Sequence, residues 1–568
     1  MLRIIYIFLL LFSGHSFTKK PTINIDEAAN KWADSVLQTL SIDERIAQLM
    51  IVRLSSIDLK TRQVTFYDEK VSDLIKKYNV GGICLFQGSP VKQAEMINKL
   101  QQMAKTPLLV SIDAEWGIGM RIIDSVSPLP KQMMLGAIKD EKLIYQYGQV
   151  VARQCKRMGI HVNYAPVVDV NNNPDNPVIN DRSFGEDKYK VARFAIQYMK
   201  GLQDLGVMAC AKHFPGHGDV AVDSHYDLPV INKTKEQLDS LELYPFREVF
   251  KEGIASAMIA HLYIPSIDDR QNRATSLSKN NVTGLLRNEL NFQGLAVTDA
   301  LEMQGVKKFF PGNDASVESL IAGNDMLCLP DDVPESIRKI KLAIDSGKLS
   351  MDDINAHCRK VLVAKYIYGL ADSKPIKLDN LTNDLNSEVQ AMIRKVAENA
   401  ITLLSKKDDS FFPLLKNENN AAGAIACLAV GTKSHNAFTE RMQHEYNAPV
   451  FFFDFNNKDS VYSKKLLDSI ASNYKDVIIS IHNMSRNTSA NFGLSTQAIQ
   501  LVNNLQQKTN SITFVFGNAY AIKNFCSSPN LVLCYEDNAV IQQTAADMLK
   551  GALTYKGVLP VTVCSGFN

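Results

Sequence analysis

Eight short apolar runs, most of them followed by a polar loop and an amphipathic helix, dominate the first two thirds of this chain. They lie at 47–53, 81–86, 108–113, 162–170, 207–213, 257–261, 294–299 and 325–329. Runs of roughly four to eight apolar residues closed by turn formers fit strands buried on both faces. Helical patterns at 141–158, 188–205, 235–253 and 278–290 separate them. Strands and helices in strict alternation predict a parallel (β/α)8 TIM-type barrel over 25–370, of α/β class.

Polar residues in those runs gather at one end. Asp113, Asp169, Lys212, His213, His261 and Asp299 all close their runs on the C-terminal side. In a parallel barrel that is the face where catalytic groups assemble. Strands leaving a core end in polar residues anyway, but that accounts for one or two such positions better than for all of them.

After Gly369 the pattern changes. The polar stretch 371–387 reads as a linker. From 388 to 568 a helix at 388–399 precedes apolar runs at 424–430, 449–455, 476–481, 512–517, 531–535 and 558–563. This predicts a second α/β unit, an αβα sandwich. No glycine-rich phosphate fingerprint follows its first strand, so it has no dinucleotide signal, and nothing in the chain calls for a cofactor.

The first eighteen residues stand apart. Met1-Leu2-Arg3, the apolar run 4–12 and Ser13-Gly14-His15-Ser16 follow the order of a secretory signal peptide. The run is short for a membrane span, so export to the periplasm or beyond is expected, with no stable membrane insertion after signal removal. A formal charge of +2 over 568 residues and the lack of any basic run give no electrostatic basis for nucleic-acid binding. Nine scattered cysteines without close pairing read as small buried hydrophobes rather than a disulfide framework.

The densest chemistry lies in Ala211-Lys212-His213-Phe214-Pro215-Gly216-His217-Gly218-Asp219, followed by Asp223-Ser224-His225. A metal site is the first option. His213 and His217 are four apart, but Pro215, Gly216 and Gly218 prevent the helix that such a pair needs, and no metal is expected. Acid/base work is the second. The spacing of Asp223 and His225 lets the carboxylate hydrogen-bond the imidazole, orient it and stabilise its protonated form. A third element, 295–303, ends its apolar run at Asp299. That carboxylate reads either as a covalent nucleophile for a sugar centre or as a simple helix cap.

Together these segments resemble glycoside hydrolase family 3, in its bacterial β-N-acetylglucosaminidase branch. The resemblance extends to Asn180-Asp181-Arg182-Ser183-Phe184-Gly185 and to Asp113 with Arg121 eight residues on. It implies a barrel followed by an αβα sandwich. It implies Asp299 as nucleophile, His225 as general acid/base and Asp223 as its partner. Asp113, Arg121, Arg182, Lys212, His213 and Met303 would then hold the sugar, and the partner would be an N-acetylglucosamine-containing glycan. The expected activity is retaining exo-hydrolysis in peptidoglycan or amino-sugar turnover. A β-glucosidase, a glycoside phosphorylase and a non-catalytic glycan-binding protein are the alternatives. Two departures bear on specificity: Trp116 stands where that branch carries glycine, and Ala300 follows Asp299 where an acidic residue is common.

Overall fold

The computed structural model describes residues 27–220, 223, 227–407 and 425–567. The proposed signal segment and His225 lie outside the described residues.

Eight parallel strands form the first unit: β1 (Met50–Arg53), β2 (Gly82–Leu85), β3 (Leu109–Ile112), β4 (Val162–Asn163), β5 (Met208–Phe214), β6 (Ser256–Ile259), β7 (Leu295–Thr298) and β8 (Leu327–Cys328). They pair in the order β8-β1-β2-β3-β4-β5-β6-β7. Val297 bridges Met326, and Thr298 N donates to Met326 O (3.0 Å), which nearly closes the sheet into the expected barrel. Strand residues such as Gly82–Leu85, Leu109–Ile112 and Leu295–Thr298 are buried throughout, because helices cover the outside and side chains fill the inside. Asp140, Asp187, Thr234 and Ser350 cap the helices that follow them.

The apolar run 162–170 yields only a two-residue strand. Pro166 has no N–H to give the ladder, and the chain continues irregularly beside β5, with Val168 N donating to Lys212 O (2.6 Å). The helical reading of 235–253 splits into Lys235–Ser240 and Leu243–Lys251, with Pro245 in the first turn of the second helix, where its missing donor is harmless.

The second unit is a six-stranded sheet with helices packed on it: β9 (Thr402–Ser405), β10 (Ile425–Val430), β11 (Val450–Phe453), β12 (Asp476–Ile481), β13 (Asn510–Val515) and β14 (Leu531–Leu533). Its order is β9-β14-β13-β12-β10-β11, and only β9 runs antiparallel to its neighbour. The run 558–563 is not a strand. With Pro560 at its centre it straps both units instead: Val558 N donates to Ala137 O (2.9 Å), Pro560 O accepts from Glu186 N (3.1 Å), and Gly557 N donates to Ile401 O (3.3 Å). Cys564 at its end is disulfide-bonded to Cys526, so the reading of all cysteines as lone hydrophobes fails for this pair. The other seven are free and buried.

The stretch read as a linker packs against the barrel. Its helix Leu381–Asn386 buries Leu381 and Leu385, and Arg157 Nε donates to Asp384 (2.8 Å). Among the described residues no helix is long and apolar enough to cross a membrane.

Among the described residues, one fully buried cation has no counter-ion. Lys365, in helix Met351–Ile367, donates to Gln48 Oε1 (2.6 Å), and burial pushes its ammonium down to about 7. Between pH 7 and its ordinary value near 10 the unfolded chain holds a proton that the folded chain does not, so stability rises with pH across that window, by up to about 1.4 kcal/mol per unit. Lys365→Met is expected to remove this slope in denaturant titrations. Parallel slopes for variant and wild type would contradict it.

Candidate active site

The C-terminal ends of the barrel strands surround a cavity of about 290 Å³. At its base lies Lys212, in β5, whose side chain is 2% exposed. Its Nζ donates to Asp113 Oδ1 (2.7 Å), just past β3, and to Glu115 Oε1 (2.6 Å). Asp113 also accepts from Arg121 Nη2 (2.6 Å). Glu115, fully buried, accepts from Arg182 through Nε (2.9 Å) and Nη2 (2.6 Å). Arg182 Nη2 lies 3.2 Å from His213 Nε2, and His213 Nδ1 lies 2.7 Å from Asp169 Oδ2. The carboxylate accepts, so Nδ1 carries the hydrogen and Nε2 accepts from Arg182. The contacts therefore run in one chain, Arg121, Asp113, Lys212, Glu115, Arg182, His213, Asp169, with acids and bases alternating as far as Arg182.

The chain of contacts fixes the charge states. Burial would raise the carboxyls of Asp113 and Glu115. For Asp113 the cations of Lys212 and Arg121 outweigh it, and for Glu115 those of Arg182 and Lys212, so both stay well below the usual carboxylate range. Burial would likewise lower Lys212, but its two carboxylates raise it. Asp169 is held low against burial by His213 and His217. Burial and the neighbouring His213 push His217 down to about 4, so it is neutral at pH 7.

The motif's glycines explain its shape. A Cβ on Gly218 would lie 1.7 Å from Val170 O, so only glycine lets this loop pass the irregular segment after β4. The turn brings His217 N onto Asp169 Oδ1 (2.7 Å).

Asp299 follows β7 directly and lines the same cavity. Its N donates to Ile259 O (2.9 Å), and its Oδ1 accepts from Ala300 N (2.8 Å). His261 Nε2 lies 3.0 Å from the backbone carbonyl of Ala300, beside Asp299. Asp223 lines the cavity as well. Asp113, Arg121, Arg182, Lys212 and His213 thus meet Asp299 and Asp223 around one space. Met303 does not line it. It is buried and begins the short helix Gln304–Lys307. Trp116 lines the cavity half-buried, with Lys131 Nζ 5.5 Å from its ring centre.

Sequence reasoning placed Asp169 at a strand end and His217 in the motif without giving either a part in the sugar site, and it gave none to Glu115 or Arg486. Glu115 was signalled by its place two residues beyond Asp113. Arg486 carried no signal, because it comes from the loop after β12 in the second unit.

A mostly buried polar pocket on the C-terminal face of a parallel barrel, backed by an αβα sandwich, defines a two-unit α/β protein with a small-molecule site made from strand ends. The model of the glycosyl hydrolase family 3 N-terminal domain matches residues 41–364, and the chain belongs to that family. A β-hexosaminidase A of Pseudoalteromonas piscicida is 31% identical over 62% of this chain, and the chain spans 64% of that relative's length. A β-N-acetylglucosaminidase/β-glucosidase of Cellulomonas fimi is 25% identical over 69% of this chain and 69% of its own. The structure of a family 3 β-N-acetylglucosaminidase from Paenibacillus sp. superposes with a TM-score of 0.75 at 27% identity, covering 92% of this chain and 99% of that one.

Removing the shared cation tests the array. Lys212→Met takes their shared cation from fully buried Glu115 and half-buried Asp113, and breaking a buried pair in this way costs about 3–5 kcal/mol. Denaturant unfolding at pH 7 is expected to read a loss of that size. The wild-type carboxyls, being depressed, keep their full contribution above about pH 4 and lose it only in stronger acid. The variant's deficit therefore narrows as pH falls and its carboxyls take up protons. Equal stability at pH 7 would refute the array's role.

Proposed function

We propose that this chain is an exported, retaining exo-β-N-acetylhexosaminidase that releases terminal N-acetylglucosamine in peptidoglycan or other amino-sugar turnover. The observation that carries the reading is the Asp113–Lys212–Glu115–Arg182 array set in one pocket with Asp299 and Asp223. Alternating fixed donors and acceptors suit the hydroxyl and amide groups of a sugar ring.

In this reading Asp299 attacks the anomeric carbon as the bond to the leaving oxygen breaks, giving a covalent glycosyl-enzyme. His225, oriented by Asp223, gives its proton to the leaving oxygen. As a neutral base it then takes a proton from the water that attacks the intermediate, and Asp299 departs as carboxylate. A histidine in this role adds no second anion beside a nucleophile that must stay ionised. Residues 25–370 form the catalytic unit, 371–387 the connection and 388–568 the sandwich. The disulfide Cys526–Cys564 supports an oxidising compartment, in keeping with the signal-like first eighteen residues.

The relatives' names support the amino-sugar substrate, and the double name of the Cellulomonas fimi relative favours β-glucoside as the second reading. Hydrolysis of 4-nitrophenyl β-N-acetylglucosaminide and β-glucoside decides between them. The amino sugar is expected to be turned over faster, and a faster glucoside would reverse the assignment. Asp299→Ala is expected to lower kcat by at least about 10³-fold. A variant as active as wild type would exclude Asp299 as nucleophile.

A further inference from the structure

A second cavity, of about 450 Å³, opens at the other end of the barrel, beside Asp325 at the entry to β8. Its balance of charge differs from that of the catalytic pocket. There Arg121, Arg182, Lys212 and Arg486 face four carboxylates. Here Lys279, Arg287, Lys348 and Lys360 face only Asp325 and Asp353. Both of those carboxylates are already engaged. Asp325 Oδ2 accepts from Ala296 N (2.8 Å), Arg287 Nη2 (2.6 Å) and Lys360 Nζ (3.0 Å), and Oδ1 lies 2.8 Å from His357 Nδ1. Asp353 accepts from Ser350 Oγ (2.7 Å) in the cap of helix Met351–Ile367. Lys360 also donates to Gly294 O (2.8 Å), which leaves one of its three N–H groups unused. Burial holds its ammonium below the ordinary value; Asp325 opposes this and Arg287 adds to it. At the rim Lys279 and Lys348 are exposed, and among the described residues no carboxylate lies within ion-pair distance of either. The rest of the lining is largely apolar, through Leu320, Ile321 and Leu349.

We propose that this cavity binds a small phosphomonoester, its dianion held by Lys279, Lys348 and Lys360 and its organic part packed on Leu320, Ile321 and Leu349. Cations of one sign around a concave wall concentrate anions there, and lysine binds phosphate as a mobile point charge. A phosphomonoester carries a charge of about −1.5 to −2 near neutral pH, which matches a surplus of two cations. The cavity is larger than the catalytic pocket of about 290 Å³, so it has room for more than the bare ion. The entry face of a barrel usually serves stability. The Arg287–Asp325–Lys360 cluster fits that role, whereas Lys279 and Lys348 add no contact to it. The site lies on the face opposite Asp299 and does not depend on the catalytic reading.

The test is titration calorimetry at fixed ionic strength and about pH 7.5, where phosphomonoesters are mostly dianions. Phenyl phosphate, phenyl sulfate and inorganic phosphate are titrated in turn into the full-length protein. Phenyl phosphate is expected to bind one to one. The singly charged phenyl sulfate is expected to bind about tenfold more weakly, and inorganic phosphate, which lacks the apolar part, more weakly than phenyl phosphate. The double variant Lys279→Ala/Lys348→Ala is expected to weaken phenyl phosphate about tenfold or more, and Lys279→Arg/Lys348→Arg to keep most of the affinity. Both side chains are exposed and unpaired, so the fold does not rest on them. Failure of phenyl phosphate to bind wild type overturns the proposal. So does equal binding by the alanine variant, which would put the ligand elsewhere, the catalytic pocket included. Equal affinity for phenyl sulfate would remove the dianion from the assignment, and equal affinity for inorganic phosphate would remove the organic part; either result overturns it.

Discussion

The site depends on one buried ammonium. Lys212 sits at the bottom of the pocket between half-buried Asp113 and fully buried Glu115 and is the cation that both carboxylates share. Burying a lysine between two acids is expensive, and a core of apolar residues would be at least as stable. What the arrangement supplies is geometry. Each carboxylate has a second cation, Arg121 or Arg182, so no member can rotate without breaking another contact. Donors and acceptors are thus fixed before any ligand arrives, which is how a site binds a polyhydroxylated ring without reorganising.

The same segment that anchors this array also joins the two units. Within 180–186, Arg182 faces Glu115, Asp181 pairs with Arg486, and Asn180 Oδ1 accepts from Asn518 Nδ2 (2.6 Å). At Gly185 a Cβ would come within 2.3 Å of Pro560 O, so glycine is required where the C-terminal strap crosses. The strap is held to the sandwich through Cys564 and Cys526. Support for the pocket wall therefore comes partly from the second unit, which makes the sandwich more than a passive appendage.

The barrel was legible because its signal is local: buried parallel strands are continuous apolar runs, and helices between them repeat at their own period. The residues at the strand ends, Asp113, Lys212, His213 and Asp299, were legible for the same reason. Three features were not. The run 558–563 has the apolar composition of a strand but Pro560 prevents one, and its backbone contacts go to two surfaces that meet only in the folded chain. Cys526 and Cys564 are 38 residues apart, and no sequence rule pairs them. Arg486 lies far from every barrel motif and enters the pocket only because the units dock as they do.

Asp299 lines the same cavity as this array, and in the proposed mechanism it bonds covalently to the sugar. Trapping the protein with a 5-fluoro N-acetylglucosaminyl fluoride, followed by proteolysis and mass spectrometry, reads that bond directly. The label is expected on the peptide carrying Asp299, and its loss in Lys212→Met would tie trapping to the array. A label on any other carboxylate, or turnover without a trappable intermediate, would contradict the account.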